Sequence, residues 1–293
     1  MKPLFLLLLL IPAVLSAAVE VAAAYPYLGA VTKAVGQDRV HVTVLGSAKY
    51  DPHFVVPKPS LIRVLNKADL LVINGGGLEI GWLPPLIRRA NNARINPGAP
   101  GFCDASQVID LIDKPAAVSR AYGDVHPEGN PHFNTDPHNI VPVAMLVARK
   151  LAQIDPEHAA FYADNLKRFR ARWKAFLKTF DASMRQCRGM KVVQYHALYN
   201  YLLDRYGIVD AGTIEPLPGI APSSRHTLQL ISKMRSESIS TLLQDPYHER
   251  KTARFIAAKT GARVVVLPHD LGAVPQTDSL EDFYTVIAKR LCP

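Results

Sequence analysis

The chain has 293 residues, with 34 Lys and Arg against 25 Asp and Glu, for a formal net charge of +9. That length is too great for one small core and suits two lobes. The positive balance would suit nucleic acid or an anionic membrane surface, yet the bases are dispersed. The densest run, Lys167 to Lys178, alternates with Phe169, Trp173 and Phe176 and reads as one amphipathic helix with a solvated face.

The first segment is not part of the fold. Lys2 supplies a positive start, Leu4 to Ile11 is an unbroken apolar run, and Ala13, Ser16, Ala17 and Ala18 are small. This order reads as a secretory signal peptide over residues 1–18, too short to serve as a stable bilayer anchor. No cysteine lies near the cut, which argues against a lipid anchor, and no later segment is long and apolar enough to cross a membrane. The mature chain is expected to be exported and soluble, so nucleic acid is a poor partner. Cys103, Cys187 and Cys292 then face an oxidising compartment, where one pair can bridge and one is left over. Their spacing matches no zinc–cysteine motif and assigns no pairing.

Strand-like and helix-like runs alternate from residue 19. Val19 to Ala24 reads as a strand, Tyr27 to Val35 as a helix and Arg39 to Leu45 as a strand. Ser60 to Ala68 is helical, Asp69 to Ile73 is a buried strand ending in Asn74-Gly75-Gly76-Gly77, and Trp82 to Ala93 is helical. Such βα alternation predicts a mostly parallel sheet covered by helices. The glycine cluster is not followed by Lys and Ser/Thr and does not open a helix directly, so it is no phosphate loop.

The pattern changes after residue 135. Asp136 caps a helix with Pro137 at its first position. Asp155-Pro156-Glu157 starts another with the same chemistry, and no Gly or Pro interrupts it until about Arg188. Phe161, Leu166, Phe169, Trp173, Phe176, Leu177 and Phe180 mark its apolar stripe. About 30 residues make roughly 45 Å of helix, long enough to be a rod shared by two lobes. The second half repeats the α/β pattern. Strands are predicted over Lys191 to Tyr195, Ile239 to Gln244 and Arg263 to Leu267, and helices over Leu198 to Tyr206, Tyr247 to Lys259 and Ser279 to Leu291. The expected units are therefore 19–154, 155–188 and 189–293.

Ligands in α/β lobes bind outside the carboxyl ends of the strands, and this sorts the ten histidines. His53 lies in a loop beyond a strand, stiffened by Pro52, Pro57 and Pro59. Asp-Pro-His occurs at 51–53 and again at 136–138; the second copy is a helix start, so His138 reads as surface or capping. His132 precedes that helix, in a loop with Asp124, His126 and Glu128, and is the better ligand candidate. His196 ends the strand Lys191 to Tyr195, and His269-Asp270 follow another, where either residue could reach a metal. Four such groups from distant segments can converge on one tetrahedral cation. His41 alternates within a strand, His158 and His248 fall in first helical turns, and His226 opens a helix; these read as structural.

At this point the sequence resembles the periplasmic solute-binding proteins that feed zinc and manganese ABC importers. Asp51-Pro52-His53 with Pro59-Ser60 and Ala68-Asp69-Leu70 is similar to that family's first ligand loop and following helix. Asn74 to Glu79 with Trp82-Leu83 resembles its Gly-rich turn, Gly129-Asn130-Pro131-His132-Phe133 its second ligand loop, and Val192 to His196 its third. Glu215 to Ser223 resembles the Pro-rich turn of its second lobe, and Asp270-Leu271-Gly272 its last ligand position. The resemblance covers nearly the whole mature chain. It implies an α/β fold: two lobes with mostly parallel sheets flanked by helices, joined by one long rigid helix, with the metal in the interlobe cleft. It implies His53, His132, His196 and Asp270 as ligands, preferring Asp270 to His269. It further implies a periplasmic, monomeric carrier, not an enzyme, that hands its ion to the membrane permease of an ABC importer.

Two departures from that family stand out. The stretch from Tyr122 to Asn130 is short where many zinc members carry a long His- and Asp-rich loop, and Asn134-Thr135 replaces a bulkier apolar pair. Manganese members usually offer a glutamate where His196 stands, so three imidazoles and a carboxylate point to Zn²⁺, with Mn²⁺ or iron as the alternative cargo. A zinc hydrolase would need an open coordination position and a base, for which Glu79 and Glu128 are the candidates. An adhesin, a label often attached to the family, finds no host-ligand signature.

Overall fold

The computed structural model describes residues 17–115 and 126–293. The signal-peptide segment through residue 16 lies outside them, as do residues 122–125 of the short loop before His132. Among the described residues no helix is long and apolar enough to cross a membrane.

The first sheet is built from β1 (Val19–Ala23), β2 (Val40–Val44), β3 (Leu70–Ile73) and β4 (Phe102–Asp104), with α1 (Pro26–Gly36), α2 (Pro59–Lys67) and α3 (Leu83–Ala90) between them. It is followed by α4 (Ile140–Ile154) and the long α5 (Ala159–Met184). The second sheet holds β5 (Lys191–Gln194), β6 (Val209–Thr213), β7 (Thr241–Gln244) and β8 (Arg263–Val266), connected by α6 (Asn200–Tyr206), α7 (Ser224–Ser236) and α8 (Lys251–Thr260), and α9 (Leu280–Leu291) ends the chain. Strand orders are β2-β1-β3-β4 and β6-β5-β7-β8, and every pairing is parallel. The inner strands β3 and β7 are buried along their whole length, as parallel strands covered on both faces must be.

The two sheets share one topology. The first strand of each is flanked by the second on one side and the third on the other, so the chain reverses direction across the sheet at that point. A crevice opens there at the carboxyl ends of the strands. Every candidate ligand lies beyond such an end or in the loop facing it.

Several boundaries differ from those predicted. The helix expected to run to Ala93 stops at Ala90, because Asn91 takes a left-handed conformation (φ 50°) and a 3₁₀ turn follows. His248 is not in a helical turn; α8 begins only at Lys251. The edge strands β4 and β6 were not anticipated, since they are short and β6 is half polar (Val-Asp-Ala-Gly-Thr). The open question of the cysteines resolves as a Cys187–Cys292 disulfide with Cys103 free and buried.

α5 is the rod the sequence predicts, although it spans 26 residues of regular helix between 3₁₀ turns, hence about 39 Å. Its buried stripe is Tyr162, Asn165, Phe169, Trp173, Phe180 and Met184, displaced by one position at its start from the predicted Phe161 and Leu166. Lys167, Arg168, Arg170, Arg172, Lys174 and Lys178 all face solvent. The helix is tied to both lobes. Asn165 Nδ2 donates to the Val35 carbonyl at 2.8 Å, Trp173 Nε1 to the Pro137 carbonyl at 2.9 Å, and Arg172 pairs with Glu281 of α9 at 2.8 Å. Asp181 accepts from Tyr206 Oη at 2.6 Å and lies 2.9 Å from His138 Nε2, which accounts for His138 as a packing residue.

Trp173 is fully buried and its ring packs against Phe169, Phe176 and Tyr284. Trp173→Ala should therefore destabilise the protein by about 3–5 kcal/mol, and Trp173→Phe, which keeps most of the packing and loses the hydrogen bond, by clearly less. Urea unfolding of the two variants checks this; equal losses would mean that the hydrogen bond, not the ring volume, carries the contribution.

Candidate metal centre

His53 follows β2 by way of a loop that turns on its own side chain. Asp51 Oδ1 accepts from the His53 backbone N–H at 2.9 Å and also lies 2.7 Å from His53 Nδ1. The Pro52 carbonyl accepts from Tyr25 Oη at 2.9 Å, which anchors the loop to the end of β1. His132 sits in a turn held from several sides. Asn130 Oδ1 accepts from the His132 N–H, Asn130 Nδ2 donates to the Ala197 carbonyl at 2.8 Å, and Asn74 Nδ2 donates to the Pro131 carbonyl at 3.0 Å. His196 lies two residues past β5, with its Nδ1 2.8 Å from Glu215 Oε2.

These three side chains converge. His53, His132 and His196 are buried, and one ligand atom from each lies within 4.8 Å of the others. His196 Nε2 and His132 Nε2 are 3.3 Å apart. Two nitrogens bound to one tetrahedral zinc at 2.0–2.1 Å would be separated by about 3.3–3.4 Å. The pair thus already stands at the edge length of the coordination polyhedron. Carboxylates at the Nδ1 atoms of His53 and His196 favour the Nδ1–H tautomer and leave Nε2 as the lone-pair donor. Burial, with the neighbouring His53 and His196 imidazoles adding to it, pushes His132 well below the ordinary imidazole range, so it is neutral and available as a ligand. Burial alone would raise Asp51 and Glu215, but hydrogen bonds with their histidines hold Asp51 below the usual carboxylate range and Glu215 at about 2.

Asp270 reaches the same neighbourhood from beyond β8. It and His132 both line a cavity of about 20 Å³ together with Tyr27, Asn74 and Asn134. Its Oδ1 accepts the backbone N–H groups of Tyr27, in the first turn of α1, at 2.9 Å and of Leu271 at 2.6 Å. Burial pushes its carboxyl up to about 8 against those two hydrogen bonds. Its oxygens are not among the atoms gathered within 4.8 Å. His269 is also buried, and neither ring nitrogen has a partner among the described residues.

The substituted pair Asn134-Thr135 proves to be structural glue. Asn134 Nδ2 donates to the His269 carbonyl at 2.8 Å, and Thr135 Oγ1 lies within reach of the His132 and Leu198 carbonyls. It binds the His132 turn to the segments carrying His196 and Asp270.

Sequence reasoning left His126 without a role, and the structure puts its Nε2 3.2 Å from His53 Nε2 with the rings stacked. Burial, with the neighbouring His53 and His196 rings adding to it, lowers it to about 3. Glu215, Asp245 and His248 were also not given roles. The signals were present in the carboxylate of the Glu215-Pro216 turn and in the Asp245-x-x-His248 spacing, but only tertiary structure shows that they meet.

Glu79, a candidate base, is engaged elsewhere. Three consecutive glycines with positive φ (79°, 60° and 82°) make the turn after β3, and its N-terminal N–H groups point at Glu79. The carboxyl accepts from Asn74 N at 2.7 Å and Gly75 N at 3.1 Å. A Cβ on Gly75 would meet Asp104 Oδ1 at 1.8 Å, so no larger residue fits. Glu128 is exposed. Neither is placed as a general base beside a metal.

The family described as "ZnuA: Zinc-uptake complex component A periplasmic" matches residues 21–291. The chain belongs to this family. Among its relatives, the high-affinity zinc uptake system protein ZnuA of Brucella abortus (strain 2308) is 30% identical over 136 residues, which is 46% of this chain and 41% of that protein. The aligned segment thus covers less than half of that relative's length. A crystal structure of ZnuA superposes with a TM-score of 0.73 at 24% identity, covering 94% of this chain and 99% of that one. A Mn-bound periplasmic metal binding protein from Candidatus Liberibacter asiaticus gives 0.74 at 19% identity, covering 92% and 98%. Both likenesses bear out the α/β fold. The family's description, a periplasmic component of a zinc-uptake complex, agrees with the sequence reading of a periplasmic carrier rather than an enzyme.

The Glu79 carboxyl offers a test of how the site is supported. Burial raises it to about 8 in the folded protein, against backbone hydrogen bonds from Asn74, Gly75 and its own N–H that lower it. A raised carboxyl contributes stability that is fully present below the unfolded value near 4 and is lost as pH rises through about 8. Metal-free protein should therefore lose stability between pH 5 and pH 8.5, by an amount on the order of a few kcal/mol. Glu79→Gln should flatten that slope. Urea unfolding across the range checks it, and a slope unchanged by the substitution would refute the assignment.

Proposed function

We propose that this protein captures Zn²⁺ in the periplasm and delivers it to the membrane permease of an ABC importer. The observation that carries the reading is the convergence of three buried imidazoles, His53, His132 and His196, from three separate segments, with one Nε2 pair at a tetrahedral edge length. Family membership and the zinc-uptake name of the Brucella relative support the cargo and the transport role. Nitrogen donors suit zinc over the oxygen-preferring cations. In this reading residues 1–18 are a signal peptide, 19–154 and 189–293 are the two lobes, 155–188 is the linking helix, and the protein acts as a soluble monomer.

Asp270 is the fourth ligand in this proposal. It shares a cavity with His132 and would set a carboxylate beside three imidazoles. His126 is a competitor for that place, since its Nε2 lies close to His53 Nε2. A manganese cargo on the same scaffold is the second reading, favoured by the likeness to a Mn-bound structure and opposed by the nitrogen-rich donors.

Isothermal titration of metal-stripped protein tests all three points. Zn²⁺ should bind with one-to-one stoichiometry and more tightly than Mn²⁺. His196→Ala should weaken binding by more than about a hundredfold, above the range for lost outer partners, whereas His138→Ala should change it by less than about twofold. Asp270→Ala should weaken zinc more than His126→Ala does. Tighter Mn²⁺ binding would overturn the cargo, equal effects of the His196 and His138 variants would overturn the site, and a larger effect at His126 would transfer the fourth position to it.

A further inference from the structure

His196 does not end at its carboxylate partner. Glu215 Oε2 lies 2.8 Å from His196 Nδ1, and its other oxygen, Oε1, lies 3.4 Å from His248 Nε2. His248 Nδ1 is in turn 2.8 Å from Asp245 Oδ2. The result is an unbroken line, Asp245–His248–Glu215–His196, that reaches the metal side at His196 Nε2. Its members come from adjacent strand ends: Glu215 follows β6, His196 follows β5 and Asp245 follows β7, in the sheet order β6-β5-β7.

The line is built rather than incidental. Asp245 is buried, and its Oδ1 accepts the backbone N–H groups of Tyr247 at 3.2 Å and His248 at 2.8 Å. The His248 ring stacks on Tyr195 at 4.3 Å with an interplanar angle of 21° and packs against Tyr247 at 4.6 Å. Glu215 is held by its backbone N–H donating to the Tyr195 carbonyl at 3.0 Å. His248 faces a carboxylate oxygen from each ring nitrogen. Nδ1 stands at hydrogen-bond distance from Asp245 and Nε2 at ion-pair distance from Glu215, so a ring carrying both protons is matched by an anion on each side. A buried Glu215 with no such partner would bear an uncompensated charge beside His196.

We propose that His248 is a positioning residue for metal capture: by bridging Asp245 and Glu215 it fixes the Glu215 carboxylate against His196 Nδ1–H and so aims the His196 Nε2 lone pair at the ion. Without His248, the Glu215 carboxylate keeps its Oε2 contacts with His196 and the Gly219 N–H at 3.4 Å but loses the anchor on Oε1, and the His196 tautomer is less firmly fixed. Outer partners of this kind tune metal affinity by about 10–100-fold. The inference rests on the reading of His196 as a metal ligand.

The test is a competition titration with a zinc chelator on the full chain, metal-stripped, for the wild type, His248→Phe, His248→Gln, Glu215→Gln and the His248→Phe/Glu215→Gln double variant. His248→Phe keeps the aromatic stack and removes both donors; it should raise Kd by about tenfold or more. His248→Gln restores one donor and should recover part of the loss. If His248 acts through Glu215, the double variant should bind within about twofold of Glu215→Gln alone, since the two changes break one line. Long-range ¹H–¹⁵N spectra of the metal-free protein should show His196 as the Nδ1–H tautomer in the wild type and a tautomer mixture in His248→Phe. A Kd for His248→Phe within twofold of wild type, or losses that multiply in the double variant, would overturn the inference. A wild type that binds no zinc would instead overturn the function on which it rests. Should His248→Phe fail to fold, the same comparison runs on His248→Gln, whose Kd and tautomer signature decide alone.

Discussion

Imidazole nitrogens presenting lone pairs to one another repel, and they gather within 4.8 Å only where the segments bearing them are held from behind. The structure depends on that constraint. Behind His53 stands Asp51, behind His196 stands Glu215, and behind the His132 turn stand Asn130 and Asn74. Each support serves two ends. It holds the backbone that carries the imidazole, and it favours the tautomer or orientation that turns Nε2 inward. A cation placed among the three rings would convert their mutual repulsion into shared attraction, so the cluster is poised for an ion by what surrounds it.

The same logic extends outward to the lobes. Two sheets of identical strand order present their carboxyl ends to one crevice, and α5 prevents them from drifting apart. Its ties run to α1 through Asn165, to the start of α4 through Trp173 and to α9 through Arg172. The Cys187–Cys292 bridge closes a loop with a sequence separation of 105 residues around the second sheet and fixes the end of the chain beside the end of the rod. Constraining so long a loop removes several kcal/mol of unfolded-state entropy in the chain-entropy picture. A residue such as Asn134, whose side chain donates across to the His269 carbonyl, can therefore act as a fixed strut.

Much of this was legible in the residues. Apolar four- and five-residue runs separated by helices gave the inner strands, because parallel strands buried on both faces need such runs. Asp136-Pro137 and Asp155-Pro156 each open a 3₁₀ turn that leads into α4 and α5; Asp136 caps its turn through the His138 N–H, as the local chemistry predicts, whereas Asp155 makes no such cap bond. Position at strand ends picked His53, His132 and His196 out of ten histidines, and the structure brings those three together. The edge strands β4 and β6 were not legible, since an edge needs neither length nor apolar alternation to be paired on one side. His126 was passed over because a histidine in a short polar loop looks solvated until tertiary structure stacks it on His53. His248 was misread as a first-turn residue because Asp245-Pro246 imitates the cap signal seen at Asp136 and Asp155. The Asp245 side chain does accept the backbone N–H groups that follow it, but the turn it closes presents His248 to Glu215 instead of starting the helix.

The cost of that polar line argues for its purpose. Beneath it, Val193, Ile214 and Leu242 are fully buried in the apolar core of the second lobe, which needs no charge for its stability. Removing Asp245, Glu215 and His248 from water is expensive, and buried ion pairs often only recover what desolvation costs. A well-packed apolar set at the same strand ends would stabilise the fold at least as well. Polar groups gathered at the ends of three adjacent strands, and leading toward one imidazole, depart from the rule of an apolar interior at this sheet edge. Such local violations mark sites where position matters more than stability. Here the position being held is that of His196 Nε2, the atom through which the second lobe meets the histidines of the first.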